Sequence, residues 1–216
     1  MSSDRPLLFL SEADVQQAID MDRALELAEL GVKAEGHGEV EGDKFYMPLE
    51  DQSFIKPFSG YLRGEELAFV KTFSFIADDQ AGSYTTSTVL LLDAKTGRLT
   101  CVMEADWITG LKTGASTAIT AEKLSKTNSK TVTIFGAGMQ GRMHLLGLAK
   151  RMHIERFYLI DVQYETAERI VHQLSSEVPA EIVPETWKGK SVKHPGSQAG
   201  KGCLLCDEQK EEFRHA

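Results

Sequence analysis

Apolar residues recur along the first thirty positions at helical spacing. Val15, Ala18 and Ile19 are followed by Leu25 and Ala28, ahead of Gly31, and Ser11 with Asp14 three residues later forms a capping-box start. A helical region with a break at Asp20 is therefore predicted. The period then changes. Residues 45–49, 53–61, 67–76 and 86–93 are rich in aromatic and β-branched side chains and are separated by Gly, Pro, Asp or Glu clusters, which predicts strands. Residues 93–97, Asp-Ala-Lys-Thr-Gly, join the run ending at Leu92 to Leu99–Met103 as a hairpin. From Trp107 to Lys123 the pattern is helical again, with Gly110, Gly114, Ala115 and Ala118 making a face that lets another element approach closely.

Residues 131–135, Thr-Val-Thr-Ile-Phe, read as a short buried strand running into Gly136-Ala137-Gly138-Met139-Gln140-Gly141. A helix at 142–152 follows, then a strand at 156–160 that ends on Asp161, a helix at 165–178 and a third strand near 181–183. A bare G-x-G-x-x-G is a weak signal. Strand before, helix after, and an acidic residue closing the next strand make it a dinucleotide fingerprint. Gly136 allows the tight turn, Gly138 lets the backbone approach a pyrophosphate, and Gly141 allows close helix packing. The helix N-terminus offers N–H groups to the anion. Asp161 would accept from the adenosine ribose hydroxyls, and no arginine directly follows it, which favours NAD over NADP. The competing reading is a glycine turn that binds nothing.

Alternation places Leu67, Phe69, Lys71, Phe73 and Phe75 on one face of a strand. A desolvated lysine there could exchange protons near neutrality or hold a substrate carboxylate. From spacing alone, a lysine whose stem packs while its ammonium reaches water is the more frequent case.

Charge narrows the class of partner. The chain has 24 Lys and Arg against 32 Asp and Glu, a net charge of -8, so a phosphate backbone would repel it and nucleic-acid binding is not expected. At 216 residues, with 42% hydrophobic and 26% charged, it falls outside collagen-like, disordered and disulfide-scaffold classes. The longest apolar run, near Val89–Leu92, is too short to cross a bilayer, and three cysteines are sparse and odd in number, so a cytoplasmic location is expected. Residues 188–216 differ from the rest. They hold 6 basic and 4 acidic residues and few large apolar ones, and read as loop or disorder. Cys203 and Cys206 form a single C-x-x-C with His194 and His215 nearby, too weak a pattern to predict a metal site.

Taken in order, Phe9-Leu10-Ser11, Lys71, Thr88-Val89-Leu90-Leu91-Leu92-Asp93, Thr96-Gly97, Ile108–Ala115 and Gly136–Gln140, with His144, resemble the ornithine cyclodeaminase/mu-crystallin family over about residues 7–187. That family includes alanine-dehydrogenase-like and cyclic imine reductase members. The resemblance implies an α/β chain, with an N-terminal α/β domain for substrate and dimer contacts at 1–127 and a Rossmann domain beginning at 128. It implies hydride transfer between NAD(P) and the α-carbon of a small amino or imino acid, in a homodimer. Lys71 matches the family's active-site lysine. Lys112 and Lys44 fall where members carry arginines that grip the substrate carboxylate, which keeps the charge but loses the bidentate fork. Thr86 lies near a threonine that contacts substrate or nicotinamide, and His144 matches a family histidine.

Residues 128–187 suffice for one βαβαβ half of a Rossmann domain. The family continues with a second half, whereas residues 188–216 resemble nothing in it, so the Rossmann domain is expected to be incomplete with an unpaired strand edge. Ornithine cyclodeaminase or an alanine-type dehydrogenase is the expected activity. The alternatives are a binding or dimerisation protein without turnover and a fragment without function of its own.

Overall fold

The computed structural model describes residues 6–78 and 82–187, and the backbone of a strand at 203–206. The chain divides into two units, Met1–Asp20 with Leu30–Thr109, and Met21–Glu29 with Gly110–Ala216.

The first unit is built on a seven-stranded sheet. Its strands are β1 (Leu8–Leu10), β2 (Val40–Lys44), β3 (Met47–Pro48), β4 (Phe54–Leu62), β5 (Leu67–Ile76), β6 (Tyr84–Asp93) and β7 (Leu99–Glu104). They run in the order β1-β7-β6-β5-β4-β2, with β3 also on β4. Only the β1–β7 pair is parallel. The hairpin between β6 and β7 closes as its sequence predicts. Asp93 accepts from the Lys95 and Thr96 amides and the Thr96 hydroxyl, and Gly97 takes the left-handed φ of 70° that the turn requires.

Helix α1 (Glu12–Ala18) starts with the expected capping box, Ser11 and Asp14 satisfying each other's backbone amides. The chain breaks at Ile19–Asp20 and resumes as α2 (Met21–Gly36), which runs through Gly31 instead of ending there. One core cluster gathers Val15, Val89, Cys101, Met103 and Ala105, with Leu10, Ile19, Trp107 and Ile108 packed around it. Burial pushes the Cys101 thiol up, so it is a packing residue and not a nucleophile. Two strand expectations need correction. The predicted strand at 45–49 is only Met47–Pro48, and β2 precedes it. Every residue of β2 is exposed, so this edge strand lacks the apolar alternation that marks a half-buried one.

The second unit contains α3 from Gly110 onward (helix Asp106–Leu124), β8 (Thr131–Phe135), α4 (Met139–Arg151), β9 (Arg156–Asp161), α5 (Tyr164–Leu174), β10 (Glu181–Thr186) and β11 (Cys203–Cys206). β10, β9 and β8 are parallel neighbours in that order, the 3-2-1 half of a doubly wound sheet. Val132, Ile134, Phe157 and Leu159 fill its interior with Met143, Leu145 and Leu148 of α4 and Leu174 of α5. Where α3 crosses α4, a Cβ on Gly114 would lie 2.3 Å from the Met143 carbonyl oxygen, and one on Gly147 2.7 Å from that of Gly114. The small-residue face thus serves backbone-to-backbone packing. Lys150 pairs with Asp22, and Arg151 with Glu29 and Glu122, which ties the start of α2 to this unit.

The unpaired edge expected for the half-sheet is not present on β8. β11 pairs there, antiparallel, and the tail is therefore not wholly irregular. The side chains of the C-x-x-C, with His194 and His215, lie outside the described residues. Among the described residues no helix is long and apolar enough to cross a membrane.

Candidate functional site

The glycine loop follows β8 directly. Gly136 has φ of 93°, a left-handed conformation that glycine adopts without strain, and its N–H donates to the Ile160 carbonyl at 2.7 Å. The helix begins at Met139, three residues earlier than the sequence pattern suggested, so Met139, Gln140 and Gly141 form its first turn with Gly138 as N-cap. A Cβ on Gly141 would sit 1.9 Å from the Gly136 carbonyl oxygen, so only glycine lets the helix start so close to the turn.

At Gly138 the reverse holds. A Cβ there would meet nothing within 4 Å, and no side chain caps the helix. The space left by Gly138 lies at a helix terminus whose backbone amides suit a pyrophosphate. The buried Gln140 Oε1 beside it lacks a partner. Asp161, at the carboxyl end of β9, accepts from the Ala137 amide through Oδ2 (2.7 Å) and from the Gln163 amide through Oδ1 (3.0 Å). Each oxygen keeps a second lone pair for a ribose hydroxyl. Phe135 and Trp187 meet edge-to-face at the same end of the strands, ring centroids 5.4 Å apart. The residues present fit the adenosine and pyrophosphate portion of a dinucleotide.

In the first unit, register aligns Lys44, Phe58, Lys71, Val89 and Met103 as one row across β2, β4, β5, β6 and β7. Directly paired residues project to the same face, so Lys44 and Lys71 share a face on either side of Phe58. The Lys44 Nζ lies 5.7 Å from the Phe58 ring centre. Lys56, two residues before Phe58, belongs to this face and stacks its ammonium on Phe54 and Tyr46 at 4.6 and 5.4 Å. Lys71 Nζ donates to Thr109 Oγ1 at 2.6 Å. Thr109 in turn donates to the Ala105 carbonyl at 2.6 Å and lies 3.1 Å from the buried Ser87 Oγ. The result is a cationic and aromatic strip suited to a small carboxylate, with the Lys71 amino group bound to the Thr109 hydroxyl, which itself meets Ser87.

Thr86 is not brought to Lys71. Lys71 pairs with Val89 without interruption through Ser74 with Thr86, so Thr86 faces the opposite side of the sheet. The hydroxyls on the Lys71 face of β6 are those of Ser87 and Thr85. Sequence reading passed over Ser87, Thr109 and Lys56. Counting by twos from Lys71 and Val89 would have found Ser87. Lys112 is an exposed residue of α3 in the second unit.

His144 is buried on α4, 7% exposed, and its Nδ1 has no partner. Burial pushes its pKa below the ordinary 6.5. In the folded protein it therefore stays neutral where the unfolded chain takes up a proton. Stability is full above the unfolded value and falls as pH drops below it, at a limiting slope of about 1.4 kcal/mol per pH unit. Denaturant titrations between pH 7 and pH 5 should show that decline, and His144→Gln should flatten it.

The sequence model of the ornithine cyclodeaminase/mu-crystallin family matches residues 6–193. The chain belongs to this family. Among curated relatives, the nodulation efficiency protein NfeD of Rhizobium meliloti is 26% identical over 83% of the chain and 57% of its own length. Alanine dehydrogenase of Archaeoglobus fulgidus is 27% identical over 76% of the chain and 51% of its own length. The structure of Thermococcus litoralis Delta(1)-pyrroline-2-carboxylate reductase in complex with NADH and L-proline superposes with a TM-score of 0.77 at 26% identity. It is covered over 57% of its length by 85% of this chain. The chain thus spans about half the length of the family members it matches. The α/β fold is that of the cyclodeaminase/mu-crystallin proteins.

Proposed function

We propose that the chain binds NAD through Gly136–Gly141 and Asp161 and acts on a small amino or imino acid at its α-carbon, with Lys71 as the acid/base group. The observation that carries this reading is the Lys71–Thr109–Ser87 hydroxyl arrangement within a cationic face, in a chain that also holds the glycine loop. Ala137, Met139 and Gln140 line the pyrophosphate position, and Asp161 holds the adenosine ribose. NAD supplies the hydride acceptor. Lys44 binds the substrate carboxylate, as a single point charge rather than a fork. Lys71, as the neutral amine, takes at Nζ the proton that the amino nitrogen sheds when the α-carbon is oxidised, and the resulting ammonium returns it in the reverse direction. Thr109 fixes the direction of that ammonium. The working assembly in this reading is a homodimer, the state named for an archaeal alanine dehydrogenase with bound NAD.

Calorimetric titration with NAD and NADP tests the cofactor half. NAD should bind at least about tenfold more tightly, because a 2′-phosphate would meet the Asp161 carboxylate. Asp161→Asn keeps an acceptor for the Ala137 amide, removes the charge, and should narrow that ratio. Equal affinities in the parent chain would remove Asp161 from the ribose site. Ammonia release from ornithine, a conversion that returns NAD unchanged, marks a cyclodeaminase, whereas a rise in 340 nm absorbance with alanine plus NAD marks a dehydrogenase and a fall with a cyclic imine plus NADH marks a reductase.

A second reading is favoured by the occupied edge of β8. A doubly wound sheet extends from this strand to its nicotinamide half, and β11 stands there instead. In that case the protein binds an adenine nucleotide and a carboxylate ligand, releases no ammonia from ornithine and never changes the 340 nm signal.

A further inference from the structure

β8 is a strand that needs a neighbour. Thr-Val-Thr-Ile-Phe is β-branched and aromatic throughout, uncharged and free of proline, the composition of a segment that pairs with any open edge. β10, at the other end of the described sheet, carries Pro184 mid-strand, and a residue without an N–H discourages pairing. β8 has no such device.

The register of β11 explains how residues after Trp187 can meet that need. β10 runs parallel to β8 and so ends at the carboxyl edge of the sheet. β11 starts at the same edge, Cys203 opposite Phe135, and finishes with Cys206 opposite Val132. A parallel strand in this place would require a crossover back to the amino edge, usually a helix. An antiparallel one requires only a passage of three strand spacings, about 15 Å, which residues 188–202 exceed in reach several times over. Cys-Leu-Leu-Cys is also the only run of four apolar residues after Trp187, set between Gly202 and Asp207.

We propose that the outer edge of β8 is a strand-acceptor surface whose occupant is this chain's own Cys203–Cys206 segment, an antiparallel cap in the position of the fourth parallel strand. With the cap in place, β8 is an interior strand. With the cap released, the edge takes a strand from a second copy of the chain.

Hydrogen–deuterium exchange on the full chain tests this, with β10 as internal reference because one side of it has no strand among the described residues. The peptide covering Thr131–Phe135 should retain protection across its length, whereas β10 loses its outward amides early. Successive N–H groups of a strand alternate in direction, so Leu204→Pro with Leu205→Pro removes a ladder donor whatever the phase. In that variant about two β8 amides should exchange at least ~10-fold faster, and light scattering should show association between copies. Leu204→Val with Leu205→Val keeps the donors and should behave as the parent. If β8 in the parent exchanges as fast as β10, or if the proline variant matches the parent in both exchange and mass, the cap does not exist in solution. Loss of protection in β9 as well would signal global unfolding, and the parent comparison of β8 with β10 then decides.

Discussion

Gly141→Ala is expected to abolish nucleotide binding and to destabilise the second unit by about 3 kcal/mol or more, a cost typical of forced overpacking. The added methyl would lie 1.9 Å from the Gly136 carbonyl oxygen and 3.0 Å from its carbon. Both obstacles are backbone, so no rotamer change relieves them; either α4 retreats or the turn opens. Gly138→Ala is the control. Its methyl meets nothing within 4 Å, so stability should change by less than about 0.5 kcal/mol. Binding should still weaken, because the methyl takes space that a pyrophosphate would use. If the loop is the nucleotide site, NADH fluorescence titrations should show weaker binding in both variants, while thermal melts show a loss of stability in Gly141→Ala alone. If both variants bind NADH like the parent, the loop only packs.

Lys71→Met should lower turnover by at least about 100-fold, the usual contribution of a positioned acid/base group, with little change in melting temperature. The methionine keeps the length of the stem among Phe58, Val89 and the neighbouring aromatics and removes only the ammonium. Lys71→Arg retains the cation and its bond to Thr109 but cannot release a proton near neutrality. It should therefore preserve carboxylate binding, read as KM, while kcat stays low. A variant with unchanged kcat would reduce Lys71 to a packing residue. Thr109→Val offers a milder version, since it removes the hydroxyl that receives the Lys71 bond and leaves the charge in place.

Much of this was legible from residue order. Period-two alternation located β4 through β7, the capping box located α1, and the strand, glycine loop and acidic strand end marked out the proposed nucleotide site without any coordinate. What the pattern missed has a common cause. β2 is solvated on all five residues and so leaves no apolar signature. β11 is four residues long, and its pairing with β8 depends on a partner some seventy positions earlier, which no local window contains. The start of α4 was misplaced because glycines in a fingerprint look like loop, although their role here is to let a helix begin tightly. At the Lys71 face, proximity in sequence misled. Thr86 and Ser87 are adjacent, yet the pleat sends them to opposite sides, and Thr109 arrives from a helix 38 positions away from Lys71.

Asp161 has a consequence for how a ligand would be received. Its carboxylate is bound to the Ala137 amide on one side and to Gln163 on the other, which staples the turn after β8 to the end of β9 within the folded chain. The rim that would meet a nucleotide is therefore already in shape, and its ordering entropy belongs to folding rather than to association. Arrival of the ligand then resembles docking onto a finished surface, with affinity set by contacts made and not reduced by loop closure.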